Sequence, residues 1–167
     1  MSLSLHPSRR YYRAMTDTTT IERSIVIDAP AADITPYLSD LRRWVDWSPW
    51  EGQDPAMNRT YTGTQGTVGS GYAWKGNRKA GAGNMTITRI APAEIDIDLN
   101  FTAPFTSSSK VEYRLSETGP ATKLVWSMES PQNLMAKVMR IFVNMDKMIG
   151  GDFDKGLAKL KAAVESK

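Results

Sequence analysis

The sequence predicts an α+β domain: one antiparallel sheet of seven strands, two short helices after the first strand, and one long helix at the C-terminus. Three observations predict it. Between residues 57 and 129, apolar and polar residues alternate in short runs, the period of a strand buried on one face. Glycine, proline and asparagine separate those runs at hairpin spacing. After Pro131 the apolar residues fall three and four apart, which places them on one stripe of a helix. Helices gathered at the ends of an antiparallel sheet define the α+β class.

The first strand is Ile21 to Asp28, with Ile21, Arg23, Ile25 and Ile27 on one face, and Asp28-Ala29-Pro30 ends it. Pro30 suits a helix start. Ile34, Tyr37, Leu38 and Leu41 follow at helical spacing, and Pro36 limits this helix to its first turn or kinks it. A second short helical piece runs from Leu41 to Asp46. Trp44, Trp47 and Trp50 then lie within seven residues. Each can bury about 200 Å², so this stretch is no ordinary surface loop.

Arg59–Thr64 and Tyr72–Lys75 are short strands joined through Gly63, Gly66, Gly69 and Gly71, with a turn at Gly76-Asn77. Met85–Ile90 follows, then Glu94–Phe101, Lys110–Leu115 and Lys123–Met128, separated by Ala91-Pro92-Ala93, Ala103-Pro104 and Thr118-Gly119-Pro120. The C-terminal stripe is Ile141, Met145, Met148, Ile149, Phe153, Leu157, Leu160 and Val164, with Lys155, Lys159, Lys161 and Glu165 mainly off it. A helix of roughly 30 residues would be about 45 Å long. Gly150-Gly151 is the expected joint, since glycine costs about 1 kcal/mol against alanine inside a helix. On this reading a methionine-rich piece, Gln132 to Met148, precedes the helix proper and acts as a lid.

The chain has 167 residues, 41% of them apolar and 23% charged, the proportions of one ordinary globular domain. It has no cysteine, which excludes disulfides, thiol nucleophiles and thiolate metal sites and fits a cytoplasmic location. No apolar run approaches the roughly 20 residues needed to span a bilayer, so no stable membrane insertion is expected. Arg9, Arg10 and Arg13 carry the whole formal charge of +3, and from Met15 on the chain is neutral. Nucleic-acid binding is therefore not expected. Residues 1–19 read as a flexible tail and 20–167 as the domain.

The single histidine, His6, lies in that tail, so the domain has no material for a Ser-His-Asp set or a histidine metal site. Glu94, Asp96 and Asp98 share the face opposite Ile95, Ile97 and Leu99, and oppose Lys110, Glu112 and Arg114 of the next strand. That is the pattern of solvent-facing ion pairs. The glycines between residues 63 and 83 match no phosphate-binding spacing. No metal or cofactor is expected.

Several stretches together resemble one family. They are Ile25-Val-Ile-Asp-Ala-Pro30, Leu38-Ser-Asp40 with Trp44 and Trp47-Ser-Pro-Trp50, Gly71-Tyr-Ala-Trp-Lys-Gly-Asn77 with Gly81-Ala-Gly83, and Gly156-Leu-Ala-Lys-Leu160. Over residues 20–166 the chain resembles the START-like helix-grip superfamily and, within it, the SRPBCC group of polyketide cyclase/dehydrase type. The resemblance implies a curved sheet wrapped around the C-terminal helix, with an apolar cavity between them.

Strand parity then names the candidate cavity wall: Tyr72 and Trp74; Met85, Ile87 and Arg89; Ile97 and Leu99; Tyr113; Trp126 and Met128. Trp47 and Trp50 are placed at the mouth, and Met145 and Phe153 on the helix side. Among the polar residues Asp40, Arg59, Asn77, Arg89 and Asn100, parity favours Arg89 as the one pointing inward. The expected function is binding of a small hydrophobic ligand, lipid or polyketide-like, in that cavity. The alternatives are a cyclase- or dehydratase-type enzyme using acid–base groups in the same cavity, and a protein-interaction module of co-chaperone type.

Overall fold

The computed structural model describes residues 18–132 and 145–167. The elements are β1 (Thr18–Ile27), α1 (Ala31–Ser39), a 3-10 helix (Leu41–Asp46), β2 (Asn58–Thr62), β3 (Gly71–Lys75), β4 (Ala82–Ala91), β5 (Glu94–Ala103), β6 (Ser107–Thr118), β7 (Ala121–Pro131) and α2 (Met145–Glu165). The seven strands form one antiparallel sheet in the order β1-β7-β6-β5-β4-β3-β2. This is the α+β architecture predicted. Several strands extend beyond their alternating cores, because Gly83, Ser107, Ser109 and Ser130 take the apolar positions near their ends.

The sheet curves around α2. Phe153, Leu157, Leu160 and Val164 are all buried, so the sheet and α1 cover this part of the helical stripe completely. Met148 is an exception: it is exposed. The C-terminal end of α2 also clamps the edge of β1. Lys161 Nζ donates to the Val26 carbonyl at 2.7 Å, and Glu165 accepts from the Asp28 amide at 2.7 Å.

Two local expectations fail. First, α2 runs unbroken through Gly150-Gly151. Gly150 is buried, and a β-carbon there would strike the Arg23 guanidinium. The glycine makes room for that arginine, which also pairs with Asp154 at 3.5 Å, rather than breaking the helix. Residues 133–144, most of the expected lid, lie outside the described residues. Second, Pro36 does not limit α1 to its first turn, the first of the two effects expected of it, and the helix continues to Ser39. Thr35 and Ser39 hydroxyls donate to the Ala31 and Thr35 carbonyls within it. Its N-terminal Ala31 amide is capped across the fold by Glu117 of β6 at 2.9 Å.

Candidate functional site

The concave face of the sheet has two halves, and cross-strand register defines both. The first lies under α2. Tyr113 of β6 pairs with Trp126 of β7, and Phe153 of α2 stacks flat on Trp126 at 3.9 Å and 7°. Trp47 meets Trp126 edge-on at 5.5 Å, and Trp50 does so at 5.9 Å. The tryptophan loop is pinned to α1: the Trp44 and Trp47 indole N–H groups donate to the Leu38 and Tyr37 carbonyls. Trp50 reaches α2, donating to Asp152 at 3.1 Å. Gly156 lets the helix approach this loop, since a β-carbon there would lie 2.9 Å from Pro49.

Two polar atoms inside this block have no partner among the described residues, the Tyr113 hydroxyl and the Trp126 indole nitrogen. Burial holds the Tyr113 phenol well above its ordinary range, so it stays protonated.

The second half lies toward β2. Tyr61, Tyr72 and Trp74 stack in a ladder, with centroids 5.1 and 5.8 Å apart and both pairs tilted 23°. Phe101 closes the row edge-on against Trp74 at 5.6 Å. Trp74 lies over Gly83, where a β-carbon would come within 2.7 Å of its ring. Met85 and Leu99 form the buried floor beside it, while Tyr61, Trp74, Phe101 and Phe105 are only half-buried. The helix that seals the first half leaves these rings partly open.

A polar group borders this ladder. Arg59 Nη2 donates to Glu51 Oε2 at 2.6 Å, and both side chains are mostly shielded, at 28% and 22% exposure. The Arg59 Nε is buried and has no partner among the described residues. The guanidinium also lies close enough to the Tyr72 hydroxyl for each to shift the other's titration. Burial pushes the Tyr72 phenol up to about 12, with the Tyr61 and Glu51 oxygens adding to it and Arg59 opposing. Tyr72 is therefore a proton donor at neutral pH. For Arg59, burial works against its charge, but Glu51 outweighs that and the net shift is upward.

The residues named from sequence separate accordingly. Tyr72, Trp74, Met85, Ile87, Ile97, Leu99, Tyr113, Trp126 and Met128 all share the concave face, linked by register across β3 to β7. Trp47 is sealed in the core, whereas Trp50 remains 39% exposed. The side chain of Met145 lies outside the described residues.

Arg89 is a correction. It is on the convex face, 57% exposed, paired with Glu94 at 3.2 Å. The register shifts between Ile87 and Arg89, so one extra residue inverts the parity beyond it and Ile90 takes the inward place opposite Ile95. Arg59 does lie on the concave face, as does Arg23 beneath α2. The sequence signal for Arg59 is the Arg59-x-Tyr61 pattern, which register places opposite Trp74 and Tyr72. Of the other polar candidates, Asp40 caps the 3-10 helix, Asn77 holds its own turn, and Asn100 bonds Asn84.

Two outer features have weaker claims. A cleft of about 800 Å³ lies between α1, Gln65-Gly66 and Pro92-Ala93. Its polar groups are already used: Asp40, Gln65 and Glu117 cap backbone amides. On the convex face Glu94, Asp96 and Glu112 cluster within 4.8 Å. Arg89 pairs across strands with Glu94 and Lys110 reaches Asp98 at 3.5 Å, while Arg114 pairs with Glu112 within its own strand.

Structurally the chain is similar to norcoclaurine synthase from Thalictrum flavum (TM-score 0.63, 13% identity, covering 99% of this chain and 100% of that one). It is also similar to a hypothetical protein from Helicobacter pylori (0.66, 10%, 98% and 98%) and to a protein from Chromobacterium violaceum (0.62, 15%, 87% and 96%). These identities carry the fold alone. No curated protein matches the sequence. The profile described as "Polyketide cyclase / dehydrase and lipid transport" matches residues 18–165. With that match on a helix-grip fold, the chain belongs to the polyketide cyclase/dehydrase and lipid transport family of SRPBCC type.

Proposed function

We propose that this protein binds a small hydrophobic molecule, lipid or polyketide-like, on the concave face of its sheet, beside the part sealed by the C-terminal helix. The site is the β2–β5 half of the concave face. The observation that carries this reading is the half-buried ladder Tyr61-Tyr72-Trp74 with Phe101, beside the fully buried floor of Met85 and Leu99. Aromatic and apolar walls with a few polar groups are the usual make-up of a ligand site. The family description supports the same reading. No helix among the described residues is long and apolar enough to cross a membrane, and the absence of cysteine fits a cytoplasmic carrier. Native mass spectrometry of protein purified from its own host tests this. A co-purified apolar molecule, lost on Trp74→Ala, is the expected result. Protein that carries nothing and binds no naphthyl probe overturns it.

A second reading, an acid–base enzyme of cyclase or dehydratase type, is favoured by one observation. Tyr72 is a protonated phenol beside the Arg59–Glu51 pair, on the wall of the same site. Incubating the co-purified molecule with the protein and following its mass and chromatographic retention decides the matter. An unchanged molecule rules the enzyme out.

A further inference from the structure

The polar group at the end of the aromatic ladder constrains what the cargo carries there. Arg59 spends one N–H on Glu51, at 2.6 Å, and keeps a buried Nε–H without a partner among the described residues. A buried donor left unmade costs about 1–3 kcal/mol, so the site favours an occupant that accepts from it. Tyr72 stands beside it with Tyr61 stacked on its ring. Burial keeps the Tyr72 phenol protonated, so it has a proton to donate. The site thus places two donor groups, the Arg59 guanidinium and the Tyr72 O–H, next to a flat aromatic wall.

Its charge is balanced. Arg59 faces Glu51, and the next ionised groups acting on Tyr61 are Arg42 and Asp40, one of each sign. Arg42 lies over the Tyr61 ring at 5.5 Å. An incoming anion would lose its hydration and meet no net positive charge in return. A neutral oxygen acceptor loses far less and satisfies both donors.

We propose that this subsite holds a neutral oxygen acceptor on the cargo, the carbonyl of a ketone, ester or quinone, and discriminates against a free carboxylate. Glu51 is the residue that sets this choice, by cancelling Arg59. The proposal rests on the hydrophobic-cargo reading above and adds the chemistry of the cargo's polar end.

Three probes of equal ring size test it: 2-acetylnaphthalene, 2-naphthoate and 2-ethylnaphthalene, titrated at pH 7. The wild type is expected to bind the ketone at least about tenfold more tightly than the carboxylate. Any apolar surface shares some of that preference, so the variants carry the decision. Glu51→Gln is expected to shift the ratio about tenfold toward 2-naphthoate, because it leaves the arginine uncancelled. Tyr72→Phe is expected to lower the affinity for the ketone relative to 2-ethylnaphthalene about fivefold. Circular dichroism and the melting temperature report that each variant is folded. Ratios that neither variant moves, or wild-type 2-naphthoate binding as tight as the ketone, overturn the subsite alone. Failure of 2-ethylnaphthalene to bind wild type overturns the hydrophobic-cargo reading, and the subsite falls with it.

Discussion

The two halves of the concave face are made of the same residue types and end in different states. Under α2, Trp126, Tyr113, Trp47 and Phe153 interlock until every ring is buried. Toward β2, Tyr61, Tyr72 and Trp74 stack on one another, and of the three only Tyr72 is buried. The difference lies in the opposing layer. Phe153 of α2 and the Trp47–Trp50 loop supply rings that fill the first half. The described part of the helix supplies none to the second. An aromatic surface covered by its own chain is core, and one left half-open is available to another molecule.

The largest expected effect separates the halves by stability. Phe153→Ala removes a fully buried ring and should cost about 3–5 kcal/mol in chemical denaturation. Trp74→Ala, removing a half-buried ring, should cost about 1–2 kcal/mol and act mainly on ligand binding. Equal losses would break the comparison, because they would make the ladder core as well. Next comes Gly83→Ala. Its methyl would meet the Asn100 carbonyl and the Trp74 ring, and the backbone partner cannot turn aside. A loss of about 1–3 kcal/mol is expected, together with a change in Trp74 fluorescence.

A smaller effect of opposite sign is expected within the sealed half. The buried Tyr113 hydroxyl has no partner among the described residues, so Tyr113→Phe should leave the melting temperature unchanged or raise it, a gain of up to about 1 kcal/mol. A clear loss would reveal a partner for that oxygen.

The smallest effect lies outside the face, as a control. The Asp96 carboxyl is raised above its ordinary value of 3.8, by burial first and then by Glu94 and Glu112. A raised acid binds its proton more readily in the folded chain, so its ionisation lowers stability as pH rises through the carboxylate range. Asp96→Asn should be more stable than wild type by roughly 0.5 kcal/mol at pH 7. The two should converge at low pH, where the acid is protonated in both states. Urea midpoints at pH 7 and pH 3 check this, and ligand affinity should not move.

Much of this architecture is legible in the residues because period-two alternation is local. Ile95-x-Ile97-x-Leu99 or Leu124-x-Trp126-x-Met128 declares its buried face without reference to any neighbour. Arg89 shows where that logic stops. Counting in twos from Met85 and Ile87 puts it inside, but the bulge after Ile87 inverts the count. The trace of it in the sequence is the three-residue step from Ile87 to Ile90, odd for a strand. Arg59 is harder to read. Its strand of five residues alternates only weakly, and the long connection from Thr62 to Gly71 leaves the register with β3 unset. Gly150-Gly151 shows the same limit in a helix: propensity argues for a break, while the Arg23 side chain from β1 explains the glycine.

By itself, then, the sequence determined the order of elements, the seven strands, the faces of those without a bulge, the amphipathic C-terminal helix, and the family. Each follows from spacing along one segment or from motifs in it. Only the tertiary structure decided that the helix runs unbroken through its glycine pair, that Arg89 points outward while Arg59 lies on the concave face, and which aromatic rings are sealed and which stand half-open. Those depend on what lies across the core from each residue, and that partner comes from another part of the chain.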